Sequence, residues 1–348
     1  MTKPSSSRKL LLPLVPAYRL ALLLRELSLR AGIEPVRRLR FPVVSIGNLS
    51  AGGAGKTPLT IALAKALETR GLRVDVLSRG FGRARSNPAQ RAARVDPDGT
   101  AEDFGDEPLL IARETGVPVY VAGQRFAAGQ LAEAEAPPGV SSPHLPAVHI
   151  LDDGFQHRQL HRDVDILLLD QRDWLAEGLL PAGNLREPRK AALRATIIAI
   201  PAPDKAPELE AALRKWGWEG PIWRLHRKMD VPALDGLVAA FCGIARPEQF
   251  FADLEAAGQR IAARIAFPDH HRFSPADVAR LVTAARQTGA TALITTDKDL
   301  VRLGKLTSAF PESLPLKTAH LRIEIEHESE AVDCLLDLLE SPQPRTAL

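Results

Sequence analysis

The sequence contains few of the residues that stabilise small secreted domains. Only two cysteines, Cys242 and Cys334, occur in 348 residues, and they do not have the spacing of a metal site or a disulfide framework. This shortage excludes a disulfide-rich scaffold and indicates a reducing compartment. Aromatic residues make up only 5% of the chain, while 45% is apolar and 25% is charged, which is typical of a globular protein.

The sequence also has no apolar run of the about 20 residues that a membrane-spanning helix needs. The longest candidate, Leu10–Leu24, is interrupted by Pro13, Pro16 and Arg19. The break at Arg19 also argues against a secretory signal peptide.

A large net charge is absent too, since the total is +3, and we therefore predict no nucleic-acid partner. The charge is unevenly distributed: residues 1–40 hold nine Lys or Arg against two Glu, while the other 308 residues hold 36 basic and 40 acidic groups. A helix predicted over Ala17–Ala31 places four leucines on one face, Leu20, Leu23, Leu24 and Leu27. Such a helix either lies on an anionic membrane surface or packs on the body of the protein.

Beyond Arg40, short β-branched runs alternate with helical stretches, which predicts an α/β fold with a parallel sheet covered by helices. One helix is predicted over Pro58–Arg70. The predicted strands of this part are Phe41–Gly47, Leu72–Ser78, Val117–Ala122, Val148–Leu151, Val164–Asp170 and Ala195–Ile200.

The alternation restarts near Pro221 and predicts a second, smaller α/β lobe. Its predicted strands are Gly236–Phe241, Arg260–Phe267 and Thr291–Thr295, and its predicted helices are Pro247–Ala257 and Ser274–Thr288. We therefore expect a membrane-associating segment at 1–40, a P-loop nucleotide-binding domain at 41–220, a C-terminal lobe at 221–340 and a tail at 341–348.

The stretch after the first predicted strand has the features of a phosphate-binding loop. Three glycines precede Lys56 and Thr57 at the start of a predicted helix, so that loop amides and the helix N-terminus would point at phosphates. Lys56 would reach the β- and γ-phosphates and Thr57 would bind Mg²⁺. Ser50 replaces the first glycine of the usual motif. The candidate ATP-binding residues are Ser50, Ala51, Gly52, Gly53, Ala54, Gly55, Lys56 and Thr57.

Acidic residues stand at two further positions where chemistry is expected. Asp152 and Asp153 follow a predicted strand, at the sheet edge where ligands collect, and we assign them to Mg²⁺ and its waters; they could also be solvated turn residues before Gly154. Asp106 is a candidate general base, because a hydroxyl acceptor needs a group that receives its proton. His270 and its neighbour His271 lack further ligands at metal-binding spacing, and because adjacent residues point in different directions, at most one of them is expected to face the site.

Seven segments, in this order along the chain, resemble the tetraacyldisaccharide 4'-kinase family, the lipid A 4'-kinases. They are 47–48 with 51–58, 78–82, 105–108, 152–157, 180–188, 267–273 and 295–299. The resemblance implies transfer of the γ-phosphate of ATP, with Mg²⁺, to the 4'-hydroxyl of a tetraacylated glucosamine disaccharide 1-phosphate. It also implies a peripheral protein on the cytoplasmic face of the bacterial inner membrane, and so favours the membrane interpretation of the N-terminal helix. No obligate protein partner is predicted.

The resemblance further implies the roles of individual residues. Asp106 would be the catalytic base, and closure of the lobes would bring His270 to assist it, either by orienting Asp106 or by relaying its proton. Glu187 would join Thr57, Asp152 and Asp153 at Mg²⁺. The candidate substrate-binding residues are Asn48, Arg79, Phe81, Arg125, Gln156 and Arg186. Two positions depart from the family pattern: Phe81 replaces the usual tyrosine, and Asp297 stands where glutamate is frequent.

Two other functions stay open from the residues alone. The chain could be a P-loop kinase of a soluble metabolite, with a purely structural N-terminal helix. It could also be a membrane-recruited NTPase switch. Two residues argue against the NTPase switch. Ala51 stands where one class of such switches has an additional loop lysine, and Leu300 stands where a guanine-binding N-K-x-D signature has its Asp.

Overall fold

The structure is a computed structural model that describes residues 10–53, 55–83, 92–137, 147–175, 178–202 and 206–340. Its strands are β1 (Val43–Asn48), β2 (Arg73–Ser78), β3 (Ala93–Arg94), β4 (Val119–Val121), β5 (Ala147–Asp152), β6 (Val164–Leu168), β7 (Ile197–Pro201), β8 (Ile222–Asp230), β9 (Leu237–Cys242), β10 (Arg260–Ala266), β11 (Ala292–Thr296) and β12 (Leu316–Ile325).

The α-helices cover both faces of the sheet formed by these strands. They are α1 (Val15–Arg30), α2 (Lys56–Thr69), α3 (Ala101–Phe104), α4 (Asp106–Thr115), α5 (Arg125–Ala134), α6 (Gln171–Leu175), α7 (Ala206–Lys215), α8 (Pro247–Ala256), α9 (Pro275–Gln287), α10 (Asp297–Leu303) and α11 (Glu328–Glu340). Short 3₁₀ helices occupy Leu12–Leu14, Arg189–Arg194 and Gly304–Ala309.

The described strands form one sheet in the order β10-β9-β11-β12-β8-β7-β6-β1-β5-β2-β4-β3. Neighbouring strands run parallel except at β12–β8 and β3–β4. The central strands β1, β5 and β6 are buried along their whole length, which explains their nearly continuous apolar sequences. The predicted α/β fold, a mostly parallel sheet covered by helices, is confirmed.

The pattern-based assignment omitted strands β8 and β12, which pair antiparallel from His320↔Asp230 to Ile325↔Leu225. Both strands mix charged and apolar residues, and in β8 only Trp223 and Leu225 are fully buried, so the mixed composition hid both strands among surface segments. The pair joins the strands of the first half to those of the second in one sheet. A domain boundary near residue 220 stays a prediction.

Helix α1 has one packed face and one exposed face. Val15, Tyr18 and Leu22 pack against a buried apolar cluster that includes Leu179 and Leu185. The four leucines that the sequence placed on one face are each more than half exposed. Among the described residues, no helix combines the length and the apolar character that a membrane crossing requires. The predicted tail at 341–348 lies outside the described residues, as do residues 1–9.

A close backbone contact fixes the end of β1, where the candidate phosphate loop begins. A Cβ atom added to Gly47 would lie 2.5 Å from Phe155 Cβ and 2.8 Å from the backbone nitrogen of Phe155. Phe155 is fully buried, so it cannot move aside without disturbing the core.

We therefore expect Gly47→Ala to destabilise the protein by about 1–3 kcal/mol, as overpacking does. Gly123→Ala is the matched control, because a Cβ there meets no atom within 4 Å, and its effect should stay within about 0.5 kcal/mol. Urea unfolding of the two variants and the wild type provides the comparison. Equal stability of the two variants would contradict the proposed contact.

Candidate active site

The candidate phosphate loop connects β1 to α2, as predicted. Gly52 and Gly55 have positive φ angles of 108° and 89°, a conformation that favours glycine, and Gly55 is the N-cap of α2. On the other side of the loop, Ala51 N donates a hydrogen bond to Asn184 O at 2.8 Å, while Asn48 Nδ2 donates to Ser50 Oγ at 3.2 Å. Ala54 lies outside the described residues.

Lys56 is held inside the site by acceptors from the sheet edge. Its Nζ donates to Asn48 Oδ1 at 3.0 Å and lies 3.4 Å from Asp153 Oδ1. Thr57 is buried in the first turn of α2. Lys56 and Thr57 thus place a cation and a hydroxyl group at the N-terminus of the helix, the arrangement that binds phosphates and their metal ion in P-loop proteins.

Carboxylates crowd around the end of β5. Asp152 is buried and accepts hydrogen bonds from Thr60 Oγ1 at 3.3 Å and Ser78 Oγ at 3.4 Å. Burial, together with the negative charges of Glu107 and Asp153, raises the pKa of Asp152 to about 7. A bound cation would relieve this repulsion, because the charge of a divalent ion stabilises the ionised form of a neighbouring carboxyl group.

Asp153 belongs to a hydrogen-bond network that connects the loop after β5 with the segment before Arg189. Arg186 Nη1 lies 3.0 Å from both carboxylate oxygens of Asp153 and 3.3 Å from Gln156 Oε1. Gln156 Nε2 in turn donates to Asn48 O at 2.8 Å. Burial raises the pKa of Asp153, but the charges of Lys56 and Arg186 outweigh it and hold the pKa below its usual range.

Glu187 also lies in the cleft, and its Oε2 accepts a hydrogen bond from Arg194. Among the described residues, Glu114, Asp297 and His320 form the group of His, Cys, Asp and Glu side chains whose ligand atoms all lie within 4.8 Å of one another. The predicted Mg²⁺ ligands do not belong to this group. Mg²⁺ usually takes one or two carboxylates and completes its shell with waters and substrate phosphates. Oxygen donors from Thr57, Asp152 and Asp153 fit that requirement.

Asp106, at the first position of α4, contacts His270 from the other half of the chain. His270 Nδ1 lies 3.1 Å from Asp106 Oδ2, and the same oxygen accepts from Arg302 Nε at 2.7 Å. Burial favours the protonated carboxyl, but the hydrogen bond with His270 and the charge of Arg302 hold the pKa of Asp106 well below its usual range. The hydrogen bond with Asp106 raises the pKa of His270 against the effect of burial.

Sequence patterns missed Arg302 and left Lys298 without a role. Lys298 Nζ pairs with Glu107 Oε1 at 2.5 Å, beside the pair of Arg302 with Asp106. Lys298 and Arg302 are four residues apart on α10 and therefore share one face of the helix. The acidic pair at 106–107 and this spacing were visible in the sequence, but no pattern indicated that α10 packs on α4.

Two of the predicted arginines lie close together in the site. Arg125 is buried, its Nη1 donates to Gly123 O at 3.1 Å, and its Nε has no hydrogen-bond partner among the described residues. Burial and the charge of the exposed Arg79 lower the pKa of Arg125 to about 10. An anionic ligand would satisfy both guanidinium groups. Phe81 is exposed and its ring contacts His270 edge-on, with centroids 5.1 Å apart.

A cleft of about 810 Å³ brings most of these side chains together. The predicted site residues that line it are Gly52, Gly53, Gly55, Lys56, Thr57, Arg79, Phe81, Arg125, Asp152, Asp153, Gln156, Arg186, Glu187 and His270. Among the described residues predicted for the site, Asn48, Ser50, Ala51 and Asp106 do not belong to this lining. Asp106 contacts His270, which lines the cleft.

Comparisons with known proteins assign this arrangement to one family. The family model described as Tetraacyldisaccharide-1-P 4'-kinase matches residues 7–340. A tetraacyldisaccharide 4'-kinase of Koribacter versatilis is 38% identical over 318 residues, which covers 88% of this chain and 92% of that protein. The corresponding protein of Geobacter metallireducens is 39% identical over 314 residues and covers 84% and 87%.

A solved structure supports the same assignment. The crystal structure of LpxK from Aquifex aeolicus in complex with ATP matches with a TM-score of 0.71 and 30% identity. The match covers 95% of this chain and 99% of that one. The likeness therefore extends across both halves of the sheet.

The raised pKa of Asp152 predicts a pH dependence of stability. A carboxyl whose pKa rises on folding stabilises the fold at low pH and loses this contribution as pH rises from its ordinary 3.8 through about 7. Without Mg²⁺ and nucleotide, Asp152→Asn should therefore be more stable than wild type at pH 8, and the difference should shrink at pH 5.

Thermal unfolding at the two pH values measures this difference, with Asp235→Asn as the control because Asp235 is exposed. A difference between Asp152→Asn and wild type that is the same at pH 5 and pH 8 would show that Asp152 is not destabilised by ionisation.

Proposed function

This chain belongs to the Tetraacyldisaccharide-1-P 4'-kinase family, and on that premise we propose which residues carry out each part of the reaction. The enzyme transfers the γ-phosphate of ATP to the 4'-hydroxyl of a tetraacyldisaccharide 1-phosphate in lipid A biosynthesis. The family match decides against the soluble-metabolite kinase and the NTPase switch. The observation that carries the residue assignment is the convergence of Lys56, the Asp152–Asp153 pair and His270 on one cleft.

The loop Gly52–Thr57 holds the phosphates of ATP. Its glycines allow the backbone to approach closely, and the N-terminus of α2 favours negative charge. Lys56 already lies between Asn48 and Asp153, from where its flexible side chain reaches the β- and γ-phosphates. Arg125 and Arg79, which repel one another in the absence of an anion, bind a phosphate or sugar group of the substrates.

Thr57, Asp152 and Asp153 hold Mg²⁺ and its waters, with Glu187 nearby. The support is the chemistry of the donors: they are oxygen atoms, those of Thr57 and Asp152 buried, and burial together with acidic neighbours raises the pKa of Asp152 to about 7. When bound, Mg²⁺ neutralises phosphate charge during transfer. Arg186 keeps Asp153 oriented and also donates a hydrogen bond to Gln156. Asp106 and His270 together accept the proton of the 4'-hydroxyl.

The exposed face of α1 docks on an anionic membrane surface, where the acylated substrate resides. All large apolar side chains that are exposed in the described residues, except Phe81, lie between Leu10 and Val36 or at Leu175 and Leu193. This concentration exceeds the scattered exposure of ordinary surfaces. The basic residues of 10–40 complement anionic headgroups. We assign the protein to the cytoplasmic face of the inner membrane as a peripheral enzyme.

Substitution of the loop lysine tests the phosphate-binding assignment. Lys56→Ala should lower kcat for transfer of labelled γ-phosphate to tetraacyldisaccharide 1-phosphate in mixed micelles by about 10²-fold or more, because a preorganised charge at the phosphates is lost. Lys215→Ala, at the exposed end of α7, is the control. Near-wild-type turnover of Lys56→Ala would refute this role of the loop.

Substitution of four leucines tests the membrane surface. Replacing Leu20, Leu23, Leu24 and Leu27 by Gln should weaken binding to vesicles that contain anionic lipid by about 10²-fold, because each half-exposed leucine loses part of its transfer free energy. Folding and ATP binding should be retained, since these side chains are already in water. Sedimentation with anionic and with zwitterionic vesicles measures the effect. Unchanged vesicle binding would place the docking surface elsewhere.

A further inference from the structure

Three side chains of metal-ligating type, without a role in the reaction proposed above, meet on the wall of the cleft. They are Glu114 near the end of α4, Asp297 at the start of α10, and His320 in β12. Each offers one ligand atom, and these three atoms all lie within 4.8 Å of one another. Glu114 comes from the first half of the chain, whereas Asp297 and His320 come from the second. The cluster therefore spans the junction between the two halves.

The contacts of the cluster hold its two second-half members together and leave Glu114 only a weak ion pair. His320 Nδ1 lies 2.6 Å from Asp297 Oδ1, and Asp297 Oδ2 accepts a hydrogen bond from Leu321 N at 3.3 Å. Glu114 Oε2 lies 3.9 Å from Lys65 Nζ, and the two side chains are 41% and 50% exposed. An exposed pair at this distance contributes little. The carboxylate of Glu114 can therefore turn to a stronger cation.

The charges of the cluster match a divalent ion. Burial raises the pKa of Asp297, and the negative charge of Glu114 acts in the same direction against the charge of His320. A divalent ion that binds both carboxylates removes their mutual repulsion. A neutral imidazole then adds a nitrogen lone pair to the ion without adding charge. Two carboxylates and one imidazole thus form a neutral complex with such an ion.

The mixture of donors selects the kind of ion. Imidazole nitrogen suits Zn²⁺ and related transition metals, whereas Mg²⁺ prefers oxygen donors and keeps several waters. Zinc sites with three protein ligands combine histidine with carboxylate and leave the fourth position to water or a substrate. Because the three residues line the cleft, a fourth position is accessible from it. The donors of Thr57, Asp152 and Asp153, in contrast, are all oxygen atoms.

The distances require only small adjustments. Nitrogen and carboxylate ligands lie about 2.0–2.2 Å from Zn²⁺, so that two ligands of a tetrahedral ion are about 3.4 Å apart. Asp297 Oδ1 and His320 Nδ1 are 2.6 Å apart and would separate by less than about 1 Å to admit the ion. Glu114 is exposed, and exposed side chains change rotamer rapidly. It can therefore approach from within the 4.8 Å that already limits the cluster.

We propose that Glu114, Asp297 and His320 form a binding site for a transition-metal ion such as Zn²⁺, separate from the Mg²⁺ site at the phosphate loop. The ion bridges the two halves of the chain on the wall of the cleft. Because it binds the folded arrangement, it stabilises the contact between the halves. This inference goes beyond the kinase function and does not depend on it, since the site needs neither nucleotide nor lipid.

Retention of Zn²⁺ by the whole chain without an affinity tag, in excess Mg²⁺ and without nucleotide, tests the site. Excess Mg²⁺ competes for positions that offer oxygen alone, so that the zinc that remains reports a site with nitrogen. Competition with a chromophoric chelator measures affinity and stoichiometry. The ligand variants are Glu114→Gln, Asp297→Asn and His320→Gln. The controls are His327→Gln, an exposed histidine outside the cleft, and Asp152→Asn, which removes a proposed Mg²⁺ ligand.

We expect the wild type to retain a single equivalent of Zn²⁺. Each ligand substitution should weaken this binding by at least about 10-fold, because even the loss of an outer-shell partner costs that much. Both controls should bind as the wild type does. Zn²⁺ should also raise the unfolding temperature of the wild type and not that of His320→Gln, since an ion stabilises the fold that it binds. Thermal unfolding without metal establishes that each variant is folded.

Three results would overturn the proposal. A wild type that retains no Zn²⁺ would reduce the cluster to ion pairs. Undiminished retention by all three ligand variants would place the ion elsewhere. Loss of binding in Asp297→Asn and His320→Gln but not in Glu114→Gln would confine the ion to the second half and refute the bridge. None of these results involves phosphate transfer, so failure of the kinase function, tested with Lys56→Ala, is distinguishable from each.

Discussion

Negative charge buried at one end of the sheet is the constraint on which this site depends. Asp106 and Asp152 are buried and Glu107 and Asp153 partly buried, and repulsion from neighbouring carboxylates acts to raise the pKa of Glu107 and of Asp152. A carboxylate taken out of water must be paired, coordinated or protonated. The cations that meet this requirement also organise the site, because each is held by the carboxylate that it neutralises.

The pairing divides the four carboxylates into two sets. Asp106 and Glu107 are paired by Arg302 and Lys298 of α10; the hydrogen bond with His270 and the charge of Arg302 hold the pKa of Asp106, and the charge of Lys298 that of Glu107, below the usual range against the effect of burial. Asp153 forms ion pairs with Lys56 and Arg186. Asp152, by contrast, accepts hydrogen bonds only from hydroxyl groups among the described side chains, and its pKa is raised to about 7. The protein therefore places basic side chains beside the carboxylates that pair with other residues. The negative charge of Asp152 is only partly compensated, which suits this carboxylate to a metal ion.

Sequence patterns anticipated the parts of the site that are local. The glycines before Lys56 and the acidic pair after β5 stand in short motifs, each tied to a strand end, and the predicted α/β sheet places them together. The position of His270 at Asp106 came from a family resemblance. Arg302 was not anticipated, because an arginine four residues after a lysine on a helix is ordinary, and its significance arises only from packing against a helix 196 residues away. Strands β8 and β12 were missed for a related reason: their alternating charges resemble those of a surface segment until they pair with each other.

The dependence on pairing also links the shape of the molecule to control of the reaction. His270 and Arg302 both come from the second half of the chain, while Asp106 and the phosphate loop come from the first. The contacts of Asp106 with His270 and Arg302 therefore join the two halves at the site. On the roles proposed above, the proton acceptor and the phosphate loop act in the same cleft, since His270 and Lys56 both line it, and a hydroxyl bound there would compete with water for the γ-phosphate.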